Sequence, residues 1–251
     1  MMRNFASFLL AIIASSAGAQ TAADQIAAGN RFYMEMAADS ALARFEKAID
    51  QDPRNYEALW KASRSAVDVG SYIADDKRGK ALFSRAEQYA RRAIAVNPAD
   101  AEGHFSLSRA LGKAALSQSP RGRVRYATEI RATAMECLRL APRHAGCLHV
   151  MGMWNAEVMR LNSITRAIAK NVLGGRVFGT ASWGEAVRYM EAAVASEPER
   201  IVHRVDLAGI LADVDQPARA REEYEMVLRL PATDVNDSHY KAQARRALGR
   251  T

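Results

Sequence analysis

The feature of this sequence that most constrains its fold is an amphipathic run that ends at a proline and recurs five times along the chain. The five runs read "ALARFEKAIDQDP", "AEQYARRAIAVNP", "TAMECLRLAP", "AVRYMEAAVASEP" and "AREEYEMVLRLP". In the first four, an apolar or small residue stands five and eight positions before the proline, which places both on one face of a helix. Proline cannot continue a helix, so each run must end there. The pattern predicts a chain of repeated helical units.

Composition agrees with an all-α fold. Only 15 of the 251 residues are glycine and 7 are proline, whereas Ala, Arg, Leu and Glu are abundant. That mixture favours helix and offers little of the punctuation that strands need. Repeated units of this size bury their apolar faces by stacking on one another, which makes the chain one continuous domain rather than several.

The units resemble the tetratricopeptide repeat (TPR), a helix–turn–helix unit of about 34 residues. In the first unit, Gly29 and Phe32 occupy the small and aromatic positions of helix A, and Phe45 and Ala48 match the signature of helix B. The resemblance implies a right-handed α-solenoid over residues 20–251. Its units end near the five prolines, which are Pro53, Pro98, Pro142, Pro198 and Pro231. The segment "SHYKAQARRALGR" then forms a C-terminal capping helix.

The distances between the prolines show where the units are lengthened. They are 45, 44, 56 and 33 residues in chain order, from positions 53, 98, 142, 198 and 231. The middle units are therefore expanded relative to the repeat of about 34 residues. The first two expansions fit into longer paired helices. The third has room for an extra helix over 163–173, with Gly174-Gly175 as its C-terminal stop.

These insertions point to one branch of the TPR superfamily. The segments "ALWKASRSAVD", "AEGHFSLSRALGKAA" and "HAGCLHVMGMWNAEVMRLNSITRAIAKNVLG" are similar to those of the regulator of microtubule dynamics family and its exported bacterial relatives. The similarity covers residues 25–250. An exported protein meets no microtubule, so the activity in the family's name is not carried over.

The first residues differ from the rest of the chain. Arg3 precedes an apolar run, and Ala17-Gly18-Ala19 ends it, which is typical of a cleavable export signal over residues 1–19. An uncleaved anchor is the alternative, although the run is about half the length that spans a bilayer. We therefore expect an exported, periplasmic or secreted protein that spans no membrane after cleavage. Loss of Arg3 lowers the formal net charge from +7 to +6. Such a basic surface suits acidic proteins, anionic lipids or anionic envelope polymers better than nucleic acid, which an exported protein rarely meets.

The sequence leaves the state of the two cysteines open. Cys137 and Cys147 stand ten residues apart across a predicted turn. In an oxidising compartment they can form a disulfide. The alternative is a pair of small buried apolar residues.

No motif for catalysis, metal binding or a cofactor is present. The five histidines include no pair with metal-ligand spacing on one helix, and no HExxH occurs. The glycines near residue 175 match no phosphate-binding loop, and no serine stands in a nucleophile-elbow context. We therefore predict a non-enzyme with no cofactor.

The candidate binding residues are those that helical phase places on the concave face, which helix A of each unit lines. They combine aromatic and basic side chains about one turn apart, as binding hot spots often do. They are Trp60, Arg64, Phe105, Arg109, Lys113, His149 and Met153. The alternative is that the aromatic rings are packed between neighbouring helices or under the insertions.

Two functions fit this arrangement. The first is a scaffold whose groove holds a segment of an envelope protein. The second is a carrier of an amphipathic anionic molecule such as a phospholipid, with the basic side chains at its headgroup and a methionine-rich pocket beneath the extra helix. The scaffold is the preferred prediction.

Overall fold

The computed structural model describes residues 21–71, 73–115, 117–171 and 176–250. The predicted signal, residues 1–19, and the Gly174-Gly175 stop lie outside these ranges. Within them the chain contains twelve α-helices and one short 3₁₀ helix, Arg176–Thr180. The α-helices are α1 Ala22–Met34, α2 Ala38–Gln51, α3 Tyr56–Ser71, α4 Asp76–Val96, α5 Ala101–Ala115, α6 Pro120–Leu140, α7 Ala145–Arg160, α8 Ser163–Asn171, α9 Trp183–Ser196, α10 Ile201–Asp213, α11 Pro217–Arg229 and α12 Asp237–Ala247.

The helices pair in the order that the repeat predicts. Helix α1 packs on α2, α3 on α4, α5 on α6, α7 on α9 and α10 on α11, and α12 covers the end of the stack. Helix α8 and the 3₁₀ helix stand between α7 and α9, where the long insertion predicts an extra helix. The predicted all-α solenoid is therefore confirmed.

The prolines end the second helix of each unit as expected. The helices α2, α4, α6, α9 and α11 each finish two residues before the prolines at 53, 98, 142, 198 and 231. The expanded units have longer helices, since α4 and α6 contain 21 residues each and α2 contains 14.

Small residues set the distance between paired helices. A Cβ added to Gly29 of α1 would lie 2.5 Å from the ring of Phe45 in α2, and one on Gly152 of α7 would lie 3.1 Å from Met190 in α9. A side chain at Gly29 would force the Phe45 ring to shift, and one at Gly152 would be tighter than an ordinary contact. The buried rings and aliphatic chains then form four successive hydrophobic clusters, and the first three each draw residues from at least two helix pairs. Each unit therefore depends on its neighbours for stability.

A disulfide joins Cys137 near the end of α6 to Cys147 near the start of α7. Their Cα atoms are 6.3 Å apart, within the range that a disulfide bridges. Both residues are fully buried. The pairing that the sequence left open is therefore present, and it fixes the turn between two adjacent units.

Candidate functional site

The candidate site is the inner face of the solenoid, which is lined by the first helix of each unit. The helices α1, α3, α5, α7 and α10 contact one another in chain order, which places them together on the inside of the curve. All seven predicted groove residues lie on three of these helices and are partly buried. Helix α3 carries Trp60 and Arg64, α5 carries Phe105, Arg109 and Lys113, and α7 carries His149 and Met153.

The centre of the inner face is a buried carboxylate on α3. The side chain of Asp68 is fully buried and forms an ion pair with the guanidinium of Arg109 on α5. It also accepts a hydrogen bond of 2.9 Å from the hydroxyl of Tyr33 on α1. Burial, and then the Asp68 charge, raises the pKa of Tyr33, so the phenol stays protonated and donates. Three units are therefore tied together through one carboxylate.

Arg64 lies directly beside this network and has no counterion among the described residues. Its guanidinium carbon is 3.6 Å from the ring centroid of Tyr33 and 5.2 Å from that of Trp60. Both distances are those of cation–π contacts. The Nε atom of Arg64 is buried and has no hydrogen-bond partner in the described chain. A buried donor of this kind ordinarily has a hydrogen-bond partner.

Lys113 is the second cation of the inner face that stands without a bonded acid in the part of the chain described here. Burial, and next the positive charge of Arg109, lowers the pKa of Lys113, while the carboxylates of Asp206 and Asp68 act in the opposite direction. An anion bound beside Lys113 would stabilise its charged form and so offset the effects of burial and of Arg109.

The other aromatic and apolar candidates serve packing. The ring of Phe105 lies against Gly146 at the start of α7, where an added Cβ would be 2.4 Å away, and 4.8 Å from the ring of His144. Met153 packs on the third hydrophobic cluster and Trp60 on the first. These three side chains hold neighbouring helices together, and Trp60 also covers Arg64.

His149 meets a residue that the sequence did not indicate. Its Nδ1 atom is 2.8 Å from Nδ1 of His203 on α10, and its Nε2 atom is 3.3 Å from a carboxylate oxygen of Asp206. The Nε2 atom of His203 is 3.6 Å from Glu197. Burial lowers the pKa of His203 to about 4. The two histidines are 54 residues apart, so no local spacing could have paired them.

The C-terminal segment between α11 and α12 also reaches the inner face, which the sequence did not predict. Asp234 forms an ion pair of 2.7 Å with Arg200 at the start of α10. The amide of Asn236 donates to Asp68 over 3.5 Å, although 168 residues separate them in the chain. The expectation that "SHYKAQARRALGR" caps the last unit agrees with α12, where Tyr240 and Ala244 pack on the fourth hydrophobic cluster.

The fold and this inner face define the class of the protein, which is a TPR-type α-solenoid whose inner helices carry Arg64, Arg109 and Lys113. None of its described helices has both the length and the apolar character that crossing a membrane requires. A family model described as regulator of microtubule dynamics protein 1-3 matches residues 23–251. The chain therefore belongs to the regulator of microtubule dynamics family.

Individual relatives agree with this assignment. Regulator of microtubule dynamics protein 1 of Bos taurus is 26% identical over 149 residues, which are 59% of this chain and 46% of that protein. The match thus spans about half the length of the curated relative. Among solved structures, the TPR protein TTC0263 of Thermus thermophilus has a TM-score of 0.62 at 20% identity, covering 91% of this chain and 99% of that one. PilF of Pseudomonas aeruginosa has a TM-score of 0.52 at 12% identity, covering 91% and 84%. The two structures support the fold.

Proposed function

We propose that this protein is a non-catalytic, exported TPR scaffold whose inner face binds an acidic segment of a partner protein. The observation that carries the proposal is the position of Arg64, which is stacked on Tyr33 and has a buried Nε atom without an acceptor among the described residues. A guanidinium held in one orientation by an aromatic ring is suited to a carboxylate of a ligand.

The balance of charge on the inner face supports an anionic ligand. Arg64, Arg109 and Lys113 lie on adjacent turns of α3 and α5, and Asp68 is bonded to only one of them, Arg109. A segment that brings two carboxylates to Arg64 and Lys113 would complete the pairing. Charge-assisted hydrogen bonds of this type are about twice as strong as neutral ones.

The packing of the methionines favours a protein segment over a lipid. A carrier needs an apolar cavity for acyl chains. Met151 and Met190, two of the methionines around the fourth unit, are 2% and 0% exposed and fill the hydrophobic core. The groups that face the ligand are polar and cationic, as expected for a surface that binds a peptide.

A site-specific cross-link tests this function. A photoreactive amino acid replaces Lys113 in the full-length protein, expressed in the cells that make it, and a matched variant carries it at Arg139, an exposed residue of the outer helix α6. We expect a covalent adduct with a protein at position 113 and none at 139. The adduct should disappear when Arg64→Glu is added. A lipid-sized adduct would favour the carrier, and an adduct that is insensitive to Arg64→Glu would contradict the binding role of that side chain.

Export is part of the same proposal. The signal pattern of residues 1–19 and the Cys137–Cys147 disulfide both fit an oxidising compartment. Cell fractionation followed by N-terminal sequencing tests it. We expect the mature chain to begin at Gln20 and to be found outside the cytoplasm, and a cytoplasmic chain that retains Arg3 would contradict export.

A further inference from the structure

The segment over residues 231–237 reaches the inner face of the solenoid through Asp234 and Asn236. Its polar residues are unusually well buried for a connection between two helices, since Asp234, Asn236 and Asp237 are 6%, 4% and 1% exposed. Connecting segments normally lie on the surface, because their polar groups need water. Most of these buried groups find partners in the segment itself and on the inner helices, whereas the Oδ1 atom of Asp237 has none among the described residues.

Within the segment, hydrogen bonds form a compact turn. The carboxylate of Asp237 accepts from the backbone N–H groups of Thr233 and Asp234, at 2.8 Å each. The carboxylate of Asp234 accepts from the backbone N–H of Asn236 at 2.9 Å. Local hydrogen bonds therefore hold the turn. The carboxylate of Asp234 and the amide of Asn236 extend outward from it.

Those two side chains contact inner-face groups other than Arg64 and Lys113, which are assigned to the proposed partner. Asp234 pairs with Arg200, and Asn236 donates to Asp68, the carboxylate that also holds Arg109. The negative charge of Asp234 is also close enough to contribute, after burial and Asp68, to the raised pKa of Tyr33. One short segment thus connects the last unit to the first two.

The contact between this segment and the second unit is weak. The bond from Asn236 to Asp68 is 3.5 Å long, at the far end of the range for a hydrogen bond. Beside it lies an open cleft of about 480 Å³ between residues 36–40, the end of α3 and the segment itself, and its lining includes Val69, Ile73 and Val235. The segment also leaves Arg64 and Lys113 without carboxylates. An occupant with more acidic groups would therefore make contacts that the segment does not make.

From these observations we infer that residues 231–237 are an intramolecular occupant of the groove, and that the partner segment is a turn or extended stretch bearing Asp and Asn side chains that displaces it. The partner replaces the contacts to Asp68 and Arg200 and adds carboxylates at Arg64 and Lys113. The role of the partner rests on the proposed function, whereas the occupancy by residues 231–237 can be tested without any partner.

The occupancy is tested with the protein's own sequence supplied as a separate molecule. A fluorescein-labelled peptide of residues 229–240 is titrated with the full-length mature protein, and binding is followed by fluorescence anisotropy. The variant Asn236→Asp places a carboxylate against Asp68 and weakens the internal contact, while the backbone N–H that closes the turn is unchanged. Asn97→Asp makes the same chemical change in an outer turn after α4 and serves as the matched control.

We expect Asn236→Asp to bind the peptide at least tenfold more tightly than the wild type or Asn97→Asp. Adding Arg109→Met should remove this binding, since Arg109 orients Asp68. Equal affinity in the wild type and Asn236→Asp, or no binding to either, would overturn the occupancy. Circular dichroism confirms that each variant is folded.

A second measurement uses only the wild-type chain. Hydrogen–deuterium exchange of residues 231–237 is compared with and without an alternating Asp-Asn peptide. We expect exchange in the segment to rise at least fivefold on binding, while exchange in α3 and α5 slows. Binding without a change in the segment would overturn displacement and leave the proposed function intact. Failure of this peptide to bind would instead count against the proposed function, and the titration with the 229–240 peptide alone would then decide the occupancy.

Discussion

Replacing Asp68 with alanine should destabilise this protein more than any other single removal of a charge. The carboxylate is fully buried, it is ion-paired with Arg109, and it accepts the hydroxyl of Tyr33 at 2.9 Å. Its loss leaves a guanidinium that is only 24% exposed without its counterion. Breaking a buried pair from one side costs about 3–5 kcal/mol. Because Arg109 retains some access to water, we expect a value near the lower end, about 3 kcal/mol.

Urea denaturation of Asp68→Ala, Arg109→Met and the double variant measures this effect as the free energy of unfolding. The double variant removes the unpaired guanidinium, so it should be less destabilised than the sum of the single variants by about 2 kcal/mol. The control is Asp213→Ala, which breaks the half-exposed pair with Arg160 and should cost less than about 1 kcal/mol. A cost for Asp68→Ala equal to that of the control, or strict additivity in the cycle, would refute the reasoning.

Three further predictions concern stability. The pKa of His203 is about 4 in the folded chain and near 6.5 in the unfolded chain, so the unfolded chain binds more protons between these values. The free energy of unfolding should therefore fall by about 3 kcal/mol as the pH is lowered from 6.5 to 4. Urea midpoints that fall equally in His203→Gln would contradict this. Gly29→Ala should lower the free energy of unfolding by about 1–3 kcal/mol because its Cβ meets the ring of Phe45. Gly112→Ala, which has open space in α5, should raise it by about 0.5–1 kcal/mol. Thermal melting that shifts both variants in the same direction would exclude the packing argument. The disulfide closes a loop with a sequence separation of 10, and its reduction should lower the free energy of unfolding by about 2–3 kcal/mol. The urea midpoint with and without dithiothreitol measures this effect. An unchanged midpoint would contradict a stabilising role of the disulfide.

The helices were predictable from the sequence because their limits depend on nearby residues. A proline ends a helix wherever it stands, and an apolar residue every three or four positions marks the buried face. Both signals act within one unit, so they located the five helix pairs and the extra helix α8. The same phase placed Arg64, Arg109 and Lys113 on the inner helices. Helical phase could not distinguish an aromatic ring that packs against a neighbouring helix, such as that of Phe105, from a ring that is free to bind a ligand.

The contacts that organise the site depend on distances that no local pattern contains. Asn236 meets Asp68 only because small rotations from unit to unit add up until the last unit faces the second. The pairing of His149 with His203 depends on how α10 packs on α7 of the preceding unit. Whether Cys137 reaches Cys147 depends on the angle between α6 and α7, which a separation of ten residues does not determine. Sequence reasoning therefore identified the cations of the inner face and missed the groups that hold them.

The buried pair of Asp68 and Arg109 separates stability from recognition, which leads to the last prediction. A buried ion pair often contributes no more to stability than apolar side chains of similar size, because both charges lose their hydration. The combined substitution Asp68→Leu with Arg109→Met should therefore unfold at a higher urea concentration than Asp68→Ala alone, although the hydroxyl of Tyr33 loses its acceptor. It should nevertheless lose affinity for an alternating Asp-Asn peptide, since one cation is removed and the acceptor that orients Tyr33 beneath Arg64 is lost. Anisotropy and urea denaturation on the same preparation measure both quantities. If the double variant is no more stable than Asp68→Ala and still binds as tightly as the wild type, the pair serves stability, and the inner face recognises its ligand without it.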